Sequence, residues 1–325
     1  MMKLKNLICD TDEVANEILK NWQHDSESLK FWRGSANYVY IFMYENQKYW
    51  LRFSKKDENS LDLIKAEMEF ILYLNNSDYP FVRPIKSKKD RYIEVVKIGS
   101  EEYYAVVFSD AQGINLDIDV MTESQFEVWG KTLASLHNLS KNFKPKKYVR
   151  NNWKEILKFA GDILSDLPEE KEAINELSMV EKWLNSLSVT SDNYGLIHYD
   201  FELDNIFFNE QLNKFNVIDF DSSMYHWYVM DIVCALGDLD ELESSKAEMG
   251  LQYFLKGYCS IRDIKDEDIK LLPKFKRFSN LVSFTRLLRS LKDSDFSKEP
   301  DWLKELRPRL LRKCDVYREG FKEIW

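Results

Sequence analysis

The spacing of apolar residues changes character several times along this chain, and each change predicts a different element. Aromatic and β-branched residues dominate 38–44 and 47–53 on either side of Glu45-Asn46, the pattern of two strands joined by a tight hairpin. Leu61, Ile64, Met68, Ile71 and Leu72 then recur at three- and four-residue steps, so a helix follows and ends near Asn75-Asn76. Pro80 and Pro84 bracket a loop, after which 92–98 and 103–108 read as another pair of strands. The segment 109–119 turns polar around Gly113 and reads as a linker. Beyond it Thr122 and Gln125 carry a capping-box signature, and Phe126, Trp129, Leu133 and Leu136 line one helical face up to His137. Residues 150–188 read as helical with Trp153, Ile156, Phe159 and Ile163 turned inward. The remainder past residue 221 is helical again, with breaks expected at Pro273, Pro300 and Pro308. The sum is an α+β chain: a small antiparallel sheet with one helix over 1–108, a linker over 109–119, and a large, mostly helical part over 120–325.

Composition narrows what such a chain can do. It is 44% apolar and 31% charged, in the range of ordinary soluble proteins, and 325 residues supply material for real cores. A formal net charge of −9 argues against nucleic acid as a partner, because that binding rests on clustered Lys and Arg. A cationic small molecule suits the balance better. Cys9, Cys234, Cys259 and Cys314 lie far apart without a C-x-x-C pair, as expected of buried thiols in a reducing compartment. No secretory leader or membrane-length apolar window is visible, so cytoplasmic residence without a membrane partner is the expectation. Oligomeric state is not legible.

One stretch carries candidate chemistry. IHYDFELDNIFFNEQLNKFNVIDFD places His198, Asp200 and Asn205 before an apolar strand, and Asp219 fourteen residues beyond Asn205. Phosphoryl transfer of the kinase type needs such a set: a carboxylate to orient the attacking hydroxyl, and an amide with a second carboxylate on magnesium. Asp200 is then the base, with a solvent-facing loop aspartate as the plain alternative. Asn205 and Asp219 are the metal ligands, each of which alone would pass for a turn residue. His198 reads as scaffold behind the loop.

The strand-rich first third, the linker and the helical remainder bearing H-x-D-x4-N and I-D-F-D resemble the aminoglycoside phosphotransferase and choline kinase family, which shares the two-lobed fold of protein kinases. GLIHYDF, LDNIFF, VIDFDSSMYHWYVMDI with Asp231, and TLASLH carry the resemblance, and Leu51-Arg52 places the homoserine-kinase-like branch nearest. The resemblance implies ATP, with GTP left open, and Mg²⁺ as cofactors. It implies as acceptor a hydroxyl-bearing small molecule, aminoglycoside-, amino-alcohol- or homoserine-like.

Within that frame Arg52 is the phosphate anchor where relatives carry Lys, sharing a strand face with Trp50, and Glu67 is its helix partner, with Glu69 as the second choice. A surface arginine on an edge strand is the alternative. Gly34, Ser35 and Asn37 form either the turn over the phosphates or a plain hairpin turn. The linker, including Ser109 and Ala111, offers backbone groups to the purine. Glu202, Asp221 and Trp227 are candidates beside the acceptor, against readings as a solvent-facing side chain, a turn cap and a core ring. Asp238, Asp240, Glu241 and Glu243 read as a solvated face, and Arg286 and Arg289 as ion-paired helix surface. The competing class is a nucleotide- or partner-binding protein that has kept the kinase shape without catalysis, favoured by Arg52 and the sparse glycines.

Overall fold

The computed structural model describes residues 11–77, 79–292 and 301–325, apart from the side chains of Asp240 and Glu241. Strands β1 (Lys30–Gly34), β2 (Tyr38–Tyr44), β3 (Gln47–Lys55), β4 (Pro84–Ile85), β5 (Glu94–Ile98) and β6 (Glu101–Ser109) form a six-stranded antiparallel sheet in the order β1-β2-β3-β6-β4, with β5 also on β6. Glu45 and Asn46 take φ of 51° and 63°, and Tyr44 pairs with Gln47. The predicted hairpin therefore closes on a two-residue turn whose twist matches the strands.

Alternation gives the sheet two different faces. Tyr38, Tyr40, Phe42, Leu51 and Phe53 pack on α1 (Asp12–Leu19) through Ala15, Ile18 and Leu19, and on Trp22 just beyond it. This short helix, about two turns, was not anticipated from the sequence, since eight residues hold too few repeats to reveal a period. The opposite face carries Trp50, Arg52, Val106 and Phe108 and looks toward α2 (Leu61–Leu74), the helix the sequence does predict, and toward the cleft below.

The larger part holds α3 (Glu123–Asn142), α4 (Trp153–Ser165), α5 (Lys171–Ser186), α6 (Tyr228–Ala235), α7 (Ser244–Cys259), α8 (Asp266–Ile269), α9 (Leu272–Leu291) and α10 (Asp301–Gly320). Two antiparallel strand pairs interrupt them: β7 (Tyr194–Ile197) with β10 (Met224–Trp227), and the hairpin of β8 (Ile206–Asn209) with β9 (Lys214–Val217). The capping box of Thr122 and Gln125 opens α3 as expected. α3 and α7 lie so close that a Cβ added to Gly257 would fall 1.9 Å from Glu127 O, and one on Gly130 2.0 Å from Phe254 O.

Three expectations need correcting. The inward stripe of α4 is Trp153, Leu157, Ala160 and Leu164, whereas Phe159 is 36% exposed. Two adjacent stripes were apolar, and α9 packs over the one with the small Ala160. Pro308 sits inside α10 and Pro273 in the first turn of α9, where its missing N–H would be unpaired in any case; Pro300 and Cys9 lie outside the described residues. Cys234 and Cys314 are buried thiols but Cys259 is exposed. Among the described residues no helix is long and apolar enough to cross a membrane.

Candidate active site

The β8–β9 pair explains why Asn205 and Asp219 stand fourteen residues apart. Its register sets Ile206 opposite Val217, and one step further Ile218 N–H donates to Asn205 O at 2.9 Å. The chain thus returns to bring Asp219 beside Asn205. The Asn205 amide nitrogen donates to both the backbone oxygen and Oδ2 of Asp200, each at 2.9 Å. That leaves Asn205 Oδ1 buried without a hydrogen-bond partner. An orphaned buried acceptor calls for an explanation, and an amide oxygen next to a carboxylate is what a hard divalent cation takes. Among the described residues no three His, Cys, Asp or Glu side chains converge as a self-contained metal cage. Asn205 and Asp219 therefore fit Mg²⁺ and are the residues that would hold it.

Backbone held in a rare conformation shapes the same loop. Tyr199 and Asp219 adopt φ of 65° and 60°, each costing on the order of 1 kcal/mol for a residue with a side chain. Buried Asp231, at 0% exposure, offsets this by accepting from His198 N at 2.8 Å and Tyr199 N at 2.5 Å. Its Oδ2 also meets His137 Nε2 at 3.0 Å, and His137 Nδ1 reaches Tyr258 OH at 2.7 Å, tying the loop to α3 and α7. His198 is fully buried, with Nε2 on Ile218 O at 2.9 Å and Nδ1 accepting from Asp200 N at 3.3 Å. It holds the Asp200 loop against the strand leading to Asp219.

Across the cleft, Arg52 lies on the interior strand β3 with its side chain 9% exposed, so it is no edge-strand surface residue. One terminal nitrogen donates to both oxygens of Glu67 at 2.7 Å and the other to Asp219 Oδ1 at 3.0 Å. Burial pushes its pKa down, but Glu67, Asp219 and Asp221 more than offset this and hold it raised. Asp200 is raised, first by burial. Asp219 is raised by burial and by Asp221, with Arg52 opposing, while Asp221 is held low against its own burial by Arg52 and Arg150. Adjacent carboxylates that compete for the same cations separate in this way.

A cleft of about 450 Å³ between sheet and hairpin is lined by Val39, Trp50, Phe108, Ala111, Ile218 and Asp219 among others. One end of it lies at Arg52 and Asp219, and the other at Asp110, which accepts from Trp50 Nε1 at 2.7 Å and pairs with Lys48 at 3.0 Å. A family model described as the phosphotransferase enzyme family matches residues 29–266. The chain belongs to that family.

This phosphotransferase is 25% identical over 285 residues to amicoumacin kinase of Bacillus subtilis (strain 168), covering 84% of this chain and 83% of that one. An uncharacterized protein of Synechocystis sp. is 22% identical over 292 residues, covering 88% and 80%. Among solved structures, an amicoumacin kinase in complex with AMP-PNP, Ca²⁺ and Ami superposes with a TM-score of 0.82 at 22% identity, over 98% of this chain and 96% of that one. A microcompartment-associated aminopropanol kinase follows at 0.68, with 18% identity and 95% and 97% coverage. The two-lobed, protein-kinase-like fold expected from the sequence is therefore the fold of this phosphotransferase.

The structure brings Asp200, Asn205, Asp219, Asp221, Arg52 and Glu67 together. Other candidates it reassigns. The Asn37 amide is not turned to the cleft but donates to Asp221 Oδ2 at 2.5 Å, and Ser35 N–H closes the turn on Asn37 O at 3.1 Å. Ser109 spends its N–H on Arg83 O at 2.8 Å and its Oγ on Arg83 N at 3.0 Å, yet it still lines the cleft with Asp110, Ala111, Gly113 and Asn115. Trp227 is a core ring: 4% exposed, packed on Trp153, Tyr194 and Phe275, and bonded to Ser188 O at 3.0 Å. Glu202 is half-buried beside Asp200 and Asp238, which together with its burial push its pKa up to about 7.

Sequence reasoning missed three arginines because nothing local marks them. Arg33 reaches Asp219 at 3.3 Å. Arg150 donates to carbonyls of Leu63, Asp221 and Ser223, bridging α2 to the segment after Asp219. Arg286, read as helix surface, lies over the Tyr199 ring at 5.5 Å and lowers the Asp200 carboxyl against its burial.

Proposed function

We propose that this phosphotransferase moves the γ-phosphoryl group of ATP, bound with Mg²⁺ in the cleft, to a hydroxyl of an amine-bearing small molecule. Asp200 aligns the acceptor hydroxyl and receives its proton as the oxygen attacks phosphorus and the bond to the bridging oxygen breaks. The observation that carries this reading is the Asn205 amide, with one end on Asp200 and the other a buried, unpaired oxygen beside Asp219. Mg²⁺ supplies charge neutralisation on the phosphates when bound. Asn205 and Asp219 hold it, Arg52 is positioned for the phosphate chain, and Glu67 fixes Arg52. Arg52 in place of Lys does not argue for a dead fold, because its fork keeps one arm for Glu67 and one for Asp219.

Asp200, Asp204 and Asp238 surround Glu202 with negative charge, which supports an amine on the acceptor, as does the aminopropanol named for one structural neighbour. Cytoplasmic residence belongs to the same reading. Release of ADP is to be followed over a panel of amine-bearing alcohols with wild type and Asp200→Asn. We expect turnover at least ~10²-fold lower in the variant with nucleotide affinity retained. Undiminished turnover in Asp200→Asn would remove Asp200 from this role.

A further inference from the structure

The turn over the phosphate end of the cleft is poor in donors. It holds one glycine, Gly34, and Ser35 N–H and the Asn37 amide are already committed to Asn37 O and Asp221. A phosphate chain carrying several negative charges would also meet Asp200, Asp219 and Asp221. The cations lining the cleft are Arg33, Lys48 and Arg52, and Lys48 is paired with Asp110 at the far end.

Arg33 faces the cleft because of an irregularity in strand pairing. β1 and β2 pair Lys30 with Ile41 and Phe31 with Tyr40, then skip, so that Arg33 meets Val39 and Gly34 meets Tyr38. An unbroken register would set Trp32 against Val39 and Arg33 against Tyr38, whose side chain lies in the core under α1. The extra residue, Trp32, therefore turns Arg33 onto the face of Val39, which lines the cleft. Bulges next to active sites re-aim side chains in this manner. The resulting contact with Asp219 Oδ2 is loose. It spans 3.3 Å from a side chain that is 42% exposed, whereas Arg52 holds the other oxygen at 3.0 Å and is 9% exposed.

Resting on the phosphotransferase reading above, we propose that Arg33 is a phosphate clamp for the bound nucleoside triphosphate. It is delivered by the bulge at Trp32 in place of a glycine-rich backbone cradle. Arg33, in contact with Asp219 Oδ2, exchanges that carboxylate for β- and γ-phosphate oxygens as nucleotide binds. Asp219 Oδ2 is thereby released at the moment a cation needs it.

Calorimetric titration of the full chain with AMP, ADP·Mg²⁺ and ATP·Mg²⁺ tests this in wild type, Arg33→Ala and Arg33→Lys. For Arg33→Ala we expect ATP·Mg²⁺ affinity to fall about ten- to hundredfold, the scale of a lost hydrogen bond to a charged group. AMP affinity should stay within about twofold of wild type, and Arg33→Lys should recover part of the loss, since a point charge replaces the fork. Wild-type ATP·Mg²⁺ affinity in Arg33→Ala would overturn the proposal. Equal weakening of all three nucleotides would do the same, by assigning Arg33 a structural role. Failure of wild type itself to bind ATP·Mg²⁺ would instead remove the nucleotide reading on which the proposal stands.

Discussion

Glu67→Gln isolates the electrostatics of the site while keeping the shape of the side chain. Glu67 is 1% exposed and Arg52 9%, and two 2.7 Å bonds from one guanidinium nitrogen join them. Removing one member of a buried pair strands the other charge, at a cost of about 3–5 kcal/mol. Arg52 keeps Asp219 at 3.0 Å, so the lower end, about 3 kcal/mol, is expected. With urea slopes of up to about 3 kcal/mol per molar, the unfolding midpoint should drop by about 1 M. Adding Arg52→Met should recover part of that loss, because no uncompensated buried cation remains. A drop under about 0.5 kcal/mol, or a double variant no more stable than the single one, would refute the argument that the pair is held by charge in a dry setting.

Asp219→Ala should leave nucleotide affinity the same with and without Mg²⁺; a surviving magnesium dependence in calorimetry would count against Asp219 as a ligand. Glu202, whose pKa rises from 4.5 to about 7 on folding, keeps a proton in the folded state that the unfolded chain loses in that window. Its contribution to stability therefore falls as pH rises through the window. The Glu202→Gln variant should match wild type in Tm near pH 4 and exceed it increasingly up to about pH 7, and a pH-independent difference would contradict this. Gly257→Ala should cost about 3 kcal/mol, since the new Cβ meets the Glu127 carbonyl of the facing helix, and a thermal midpoint unchanged from wild type would contradict the packing.

What the sequence settled by itself were features with short-range causes. Alternation fixed β2 and β3 with their Glu45-Asn46 turn, three- and four-residue steps fixed α2, and the Thr122–Gln125 box fixed the start of α3. The juxtaposition of Asn205 and Asp219 was legible for the same reason, because a hairpin with short arms sets their spacing. Tertiary structure alone decided whatever depends on partners distant in the chain. Trp227 became a core ring because Trp153 and Phe275 reach it from elsewhere. The Asn37 amide went to Asp221, 184 residues away in the chain, and Arg150 and Arg286 became site neighbours through α2 and α9. The side on which Arg33 emerges turned on a single skipped residue in the β1–β2 register. Composition cannot encode such a shift, because a one-residue slip reverses every side chain beyond it while leaving the local propensities unchanged.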